Sequence, residues 1–182
     1  YEQPAAKLLR NYVKDSVADM IPDVHGNSIA VLNPKADFKF MLAGHIDEIG
    51  LIITHVDDKG YIYTAQIGGM DPTLLVGQRV SIITEKGPIL GVIGRKAIHQ
   101  MQPDERKKGV EMENIWIDIG AANKKAALKR VQIGDPIVID VQCRMLDDDK
   151  VVSRATDDKA GAFVVAEVMK ALSKKKLNIC VI

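Results

Sequence analysis

Two short stretches of this chain carry residue types that do chemistry. The first is Gly44-His45-Ile46-Asp47-Glu48-Ile49-Gly50, which follows an apolar run at 38–43. In a His-x-Asp arrangement the imidazole can bind a metal ion while the nearby carboxylate takes its other ring nitrogen and fixes the ring. The same residues also read as a loop histidine hydrogen-bonded beside solvated acids. The second stretch is Ala155-Thr156-Asp157-Asp158-Lys159-Ala160-Gly161, between a strand pattern and a helix pattern. A carboxylate there is favoured by the helix N-terminus, and capping accounts for one aspartate more readily than for two. A carboxylate at such a junction can also bridge two cations, one on each oxygen. Both stretches fall at the carboxyl ends of strands, where open α/β sheets place their ligands. Taken together, His45 and a bridging Asp157 make half of a two-metal hydrolytic site. In such sites ions about 3.5–4 Å apart hold a nucleophilic water and polarise a carbonyl.

The elements that must position these groups are legible from periodicity. Pro4 suits the first turn of a helix, and Leu8, Leu9, Tyr12, Val13, Val17 and Met20 recur at helical spacing until Pro22. Strands are expected at 28–32 and 38–43, and at 51–56 and 61–67 around the hairpin loop Asp57-Asp58-Lys59-Gly60. Further strands follow at 79–84, 89–93, 115–119 and 137–141, with a charged loop at 102–113 and a short helix at 123–130. Beyond Asp147-Asp148-Asp149-Lys150 the pattern gives a short strand at 151–155. A helix at 157–172 comes next, with Ala160, Phe163, Val164, Val168, Ala171 and Leu172 on its buried face. The apolar run at 178–182 reads as a buried parallel strand. This grammar is that of an α/β domain, 1–52 and 150–182, interrupted by a β-rich insertion, 53–149.

Composition narrows the function. The 182 residues include 25 Lys+Arg against 24 Asp+Glu, so no global field attracts polyanions and a nucleic-acid partner is not expected. Three Phe, four Tyr and one Trp are too few for a base-stacking platform. No run approaches the roughly 18 apolar residues of a membrane span, and no signal-peptide pattern opens the chain. Cys143 and Cys180 read as reduced, core-filling cysteines of a cytoplasmic protein. Trp116 reads as core, and His25 and His55 as solvated. The first residue is Tyr rather than Met, and Cys180-Val181-Ile182 ends in mid-strand, as expected of a fragment.

Seven collinear stretches carry a resemblance. They are Ala43-Gly44-His45-Ile46-Asp47-Glu48-Ile49-Gly50-Leu51, Gln66-Ile67-Gly68-Gly69-Met70-Asp71-Pro72, Gly77-Gln78-Arg79-Val80, Gly91-Val92-Ile93-Gly94, Ile117-Asp118-Ile119-Gly120-Ala121, Val131-Gln132-Ile133-Gly134-Asp135-Pro136 and Thr156-Asp157-Asp158-Lys159-Ala160-Gly161. On these the sequence resembles the glutamyl and deblocking aminopeptidases, the TET-type dinuclear metallo-aminopeptidases, some of whose relatives carry an endoglucanase label. The resemblance implies a metallo-exopeptidase-like α/β/α domain interrupted by a barrel-like dimerisation insertion. It implies a metal ligand at His45, a metal-bridging carboxylate at Asp157, and a supporting catalytic role for Asp47, which would hold the His45 ring. Two divalent ions are expected, and Zn²⁺ or Co²⁺ suits a mixed imidazole and carboxylate set better than Mg²⁺ or Ca²⁺. Peptides are the expected substrates, and homodimers building a larger shell the expected assembly.

The family keeps Arg where this chain has Lys159. Its Glu-Glu pair, a general base and a ligand, is expected after the strand that closes at Ile182, so no residue here takes those roles and the chain alone is expected to be inactive. Two other readings stand beside this one. One is a non-catalytic assembly or binding module. The other is a polysaccharide hydrolase, which usually needs paired carboxyls along an aromatic-lined groove and is disfavoured by the aromatic count.

Overall fold

In chain order the computed structural model begins with α1 (Gln3–Val13), β1 (Asp19–Pro22), β2 (Ser28–Val31) and β3 (Lys39–Phe40). Then come β4 (Gly50–Val56), β5 (Ile62–Ile67), β6 (Arg79–Thr84), β7 (Gly87–Arg95), α2 (Pro103–Lys107), β8 (Ile115–Asp118), α3 (Lys124–Leu128) and β9 (Pro136–Ile139). The hairpin β10 (Arg144–Asp147) and β11 (Lys150–Val152) leads to α4 (Thr156–Leu172) and β12 (Cys180–Val181). The structure describes residues 2–17 and 19–182; Tyr1 and Ala18 lie outside the described residues. Among the described residues no helix is long and apolar enough to cross a membrane.

The chain forms two units. One runs as far as Glu48 and resumes with Ala155–Ile182, and the other is Ile49–Arg154. These borders lie a few residues outside 52/53 and 149/150. The reasons are local: β4 runs unbroken from Gly50 as a barrel strand, and Arg154 reaches back to the carbonyls of Ile139 and Val141, each at 3.3 Å.

The inserted unit is a closed antiparallel barrel in the order β4-β5-β8-β7-β6-β9, with β9 returning to β4. Alternation makes it. In β6, Val80 and Ile82 point inward and are fully buried, while Ser81 and Ile83 face out. Inward-facing Leu51, Ile53, Ile62, Ile93, Ile117 and Ile137 fill the interior, so it is a packed core and not a channel. At Gly91 a Cβ would come within 2.6 Å of the Ile117 side chain, so the glycine leaves room for that isoleucine. The loop between β4 and β5 is closed by Asp57, whose Oδ1 accepts from the amides of Lys59 and Tyr61.

Three expectations need correction here. The charged loop at 102–113 contains α2, because Gln102 and Glu105 form a capping box and Lys96 pairs with Glu105 at 2.9 Å. Trp116 is only half-buried. Its neighbours Ile115 and Ile117 take the inward positions, and its ring lies 5.5 Å from that of Tyr61. Cys143 is exposed, whereas Cys180 is buried.

The other unit joins two helices to short strands. Helix α1 stops at Val13, and Met20 falls instead in β1, opposite Ala30 of β2. The helical spacing of Val17 and Met20 therefore does not extend the helix: after one 3-10 turn at Lys14–Ser16 the backbone is extended at Val17, and Met20 joins the β1–β2 ladder. Strand β12 runs parallel to β3, with Cys180 N bonded to Phe38 O at 2.8 Å and Ile182 N to Phe40 O at 2.9 Å. Its other edge exchanges bonds of 3.0 and 2.9 Å with Leu32. Leu32, Val181 and Met169 of α4 form the core, with Leu42, Val165 and Leu172 packed against it. Helix α4 buries Ala162, Ala166 and Met169. Phe163 and Val164, expected inside, are 54% and 59% exposed. The stripe of small residues lets the helix lie close, and the bulkier pair turns outward.

Candidate metal centre

The chain leaves β3 and crosses residues 41–49 without a regular ladder until β4 begins at Gly50. This loop is pinned at Gly44. A Cβ there would lie 2.7 Å from Ala162 N and 3.0 Å from Ala162 Cα, so only glycine lets the backbone rest on the first turns of α4. His45 follows at once. Its Nδ1 stands 3.1 Å from Asp47 Oδ1, and its Nε2 stands 3.1 Å from Asp157 Oδ1, although Asp157 is 112 positions away.

The start of α4 explains why two aspartates stand side by side. Ala155 takes a left-handed conformation at φ +58°, Asp157 is extended, and the peptide between Asp157 and Asp158 is cis. Asp158 Oδ1 accepts from Gly161 N at 3.1 Å, so it serves the helix start. Asp157 is left to face His45, with its side chain 95% exposed. The two readings of this stretch, capping and cation binding, thus fall to different residues.

The His45–Asp157 contact has a chemical consequence. A neutral imidazole carries one ring proton, so one of its two carboxylate contacts, with Asp47 or with Asp157, sets two acceptors face to face. Two acceptors at 3.1 Å repel one another unless positive charge lies with them, as a second ring proton or as a metal cation. The separation is also within the roughly 4 Å that two donors can span on one ion with bonds of about 2.0–2.2 Å. The imidazole and carboxylate present here therefore fit a divalent ion of the Zn²⁺ or Co²⁺ type. Among the described residues no group of three or more His, Cys, Asp or Glu side chains converges on one point, so these residues offer two donors and Asp47 as support.

Beside His45, Ile46 and Asp47 opens a cavity of about 830 Å³, walled by Ala6, Arg10, His25 and Asn27 among others. His25 is an exposed turn residue, yet it shares this cavity with His45. The turn that presents it is held by Asp23, whose Oδ1 accepts from the amides of His25 and Asn27. Asn27 also donates to Asp23 Oδ2, and these bonds, the Asn27 side chain first, hold the Asp23 carboxyl below its ordinary range. His55 and His99 belong to the barrel unit. One contact escaped the sequence reading: Lys159 Nζ lies 3.1 Å from Glu48 Oε1. The only signal was an opposite charge following each motif.

Residues 26–182 match the family described as M42 glutamyl aminopeptidase. Over 173 residues the chain is 35% identical to an aminopeptidase-like protein of Acetivibrio thermocellus, covering 95% of this chain and 49% of that one. Its fold is similar to a TET aminopeptidase from a marine sediment archaeon of the Thaumarchaeota, at a TM-score of 0.95 and 30% identity. That match covers 100% of this chain and 52% of the other. It is likewise similar to the TET1 peptidase of Pyrococcus horikoshii, which can assemble into a tetrahedron or a large octahedral shell. There the TM-score is 0.88 and the identity 33%, over 100% of this chain and 54% of that one. The chain thus spans about half the length of the relatives it matches.

Proposed function

This chain belongs to the M42 glutamyl aminopeptidase family, and on that premise we propose that it carries part of the site of a metal-dependent aminopeptidase acting on peptides. The observation that supports the metal is His45 held between two carboxylates, Asp47 Oδ1 and Asp157 Oδ1 each lying 3.1 Å from a ring nitrogen. With a cation at Nε2, Asp47 would accept the Nδ1 proton of His45 and hold the ring in place. Asp157 offers a second donor, and its exposed carboxylate has an oxygen for a neighbouring cation. Two Zn²⁺ or Co²⁺ ions, when bound, supply Lewis acidity and a water that is nucleophilic at neutral pH. One imidazole and one carboxylate leave most coordination positions to water, and no described residue is placed as general base. We therefore expect no turnover from these 182 residues by themselves.

Further copies of this chain are the proposed partners. Ile83, Leu90 and Val92 are exposed on the outer face of the barrel strands β6 and β7, which gives an apolar surface for a symmetric contact. The test uses the protein at its full encoded length, stripped with chelator and reloaded with Zn²⁺ or Co²⁺. Leucyl and glutamyl chromogenic amides should be cleaved only after reloading, and His45→Ala should abolish cleavage. Activity that survives chelation, or release of reducing sugar from a polysaccharide in place of an amino acid, would overturn the proposal.

A further inference from the structure

Loop 41–49 has no ladder to set its register against α4, so other contacts must decide how far His45 stands from Asp157. Gly44 against Ala162 is the first. The second is the pair between Glu48, three residues after His45, and Lys159, two residues after Asp157. His45 lies between these two anchors along the loop. The pair is not a surface ornament: the Lys159 and Glu48 side chains are 37% and 21% exposed, where a charge contact is worth more than in open water. The two segments also bring Asp47 and Asp157 to the same imidazole, each 3.1 Å from a ring nitrogen. A loop left unpinned would spend part of the cation's binding energy on bringing His45 and Asp157 together.

We propose that Lys159 is a positioning residue of the metal centre. Its ion pair with Glu48 closes the His45 loop onto α4 before any cation binds, and so raises affinity by preorganisation. This rests on the metal centre proposed above. Lys159 is not itself a ligand, and it touches neither His45 nor Asp157 among the contacts the structure records. Its ammonium is the only cationic side chain within the two motifs apart from the imidazole.

The experiment measures Zn²⁺ affinity by chelator competition, together with amide hydrogen exchange of loop 41–49 in the metal-free state, on the full-length protein. Lys159→Met should weaken Zn²⁺ binding about 10-fold or more, the usual effect of losing a group that orients a ligand. It should also speed exchange in the loop. Lys159→Arg should stay within about threefold of the unaltered protein, since it keeps the charge. Glu48→Gln should act in the same direction as Lys159→Met, and the double variant should lose less than the two single losses combined, because the two substitutions share the Lys159–Glu48 contact. Unchanged affinity and exchange in Lys159→Met, or additive losses in the double variant, would overturn the inference while leaving the metal centre standing. If Lys159→Met fails to fold, Glu48→Gln with unaltered affinity refutes it equally. An unaltered protein that binds no Zn²⁺ overturns the metal centre and the inference together.

Discussion

Replacing Gly44 with alanine adds a single methyl group at the contact that carries His45. The new Cβ would lie 2.7 Å from Ala162 N and 3.0 Å from both Ala162 Cα and Gly161 C, all of them backbone atoms of α4. No side chain can swing aside to relieve it. To reach ordinary contact at about 3.4 Å, the loop and the helix must separate by about 0.7 Å. Overpacking of this kind costs about 1–3 kcal/mol. The consequence for the metal is sharper, since ligand distances tolerate only about ±0.2 Å and His45 is the next residue. Gly44→Ala should therefore lower stability in urea by about 1–3 kcal/mol and weaken Zn²⁺ binding by about 10-fold or more. Gly69→Ala is the control, because a Cβ there meets nothing within 4 Å, and its effect should stay within about 0.5 kcal/mol. If the two variants behave alike in both assays, the close approach of loop and helix does not hold the site.

How far the sequence reveals the structure depends on which physical signal each element carries. The barrel strands were readable because β-branched residues alternate with polar ones and glycine-bearing turns separate them, as at Asp57-Asp58-Lys59-Gly60 between β4 and β5. Strand β10 escaped because Met145 and Leu146 are exposed and follow no one-sided pattern, although its partner β11 overlaps the short strand expected at 151–155. The face of α4 was misjudged for another reason. Two apolar stripes compete there, and close packing selects the one with Ala162 and Ala166 over the one with the larger Phe163 and Val164. At the site, the His45-x-Asp47 spacing left a metal-binding and a loop hydrogen-bond reading open, and the structure sets Asp47 Oδ1 3.1 Å from His45 Nδ1. The separate tasks of Asp157 and Asp158 depend on a left-handed Ala155 and an extended Asp157, which no periodicity announces. The Glu48–Lys159 pair is invisible to local pattern because the barrel unit lies between its members in the chain.

Ile62, fully buried in the barrel, should cost about 2–5 kcal/mol when changed to alanine, read from urea denaturation, while the exposed Leu146→Ala should cost under about 0.5 kcal/mol. Tyr12 donates to Glu167 Oε1 at 2.5 Å, and this bond first, then Lys170, holds the Glu167 carboxyl below its ordinary range. The stabilisation this gives is present above the unfolded value of about 4.3 and is lost as pH falls through the lower folded value. Tyr12→Phe should raise the Glu167 midpoint in a carboxyl NMR titration and flatten the acid limb of stability; an unmoved midpoint would refute the assignment. The adjacent aspartates give the last prediction. Asp158 holds Gly161 N at the start of α4, so Asp158→Ala should cost about 0.5–2 kcal/mol, the range of a lost helix cap. Asp157 is 95% exposed and its recorded partner is Nε2 of the half-exposed His45, so Asp157→Ala should leave stability within about 0.5 kcal/mol. Its Zn²⁺ affinity should nevertheless collapse, because one of the two donors is gone. Stability and affinity thus separate at neighbouring positions, one variant losing mainly the first and the other only the second. If both variants lose stability equally and bind Zn²⁺ equally, Asp157 is a second cap and the repulsion between it and His45 is relieved by a ring proton alone.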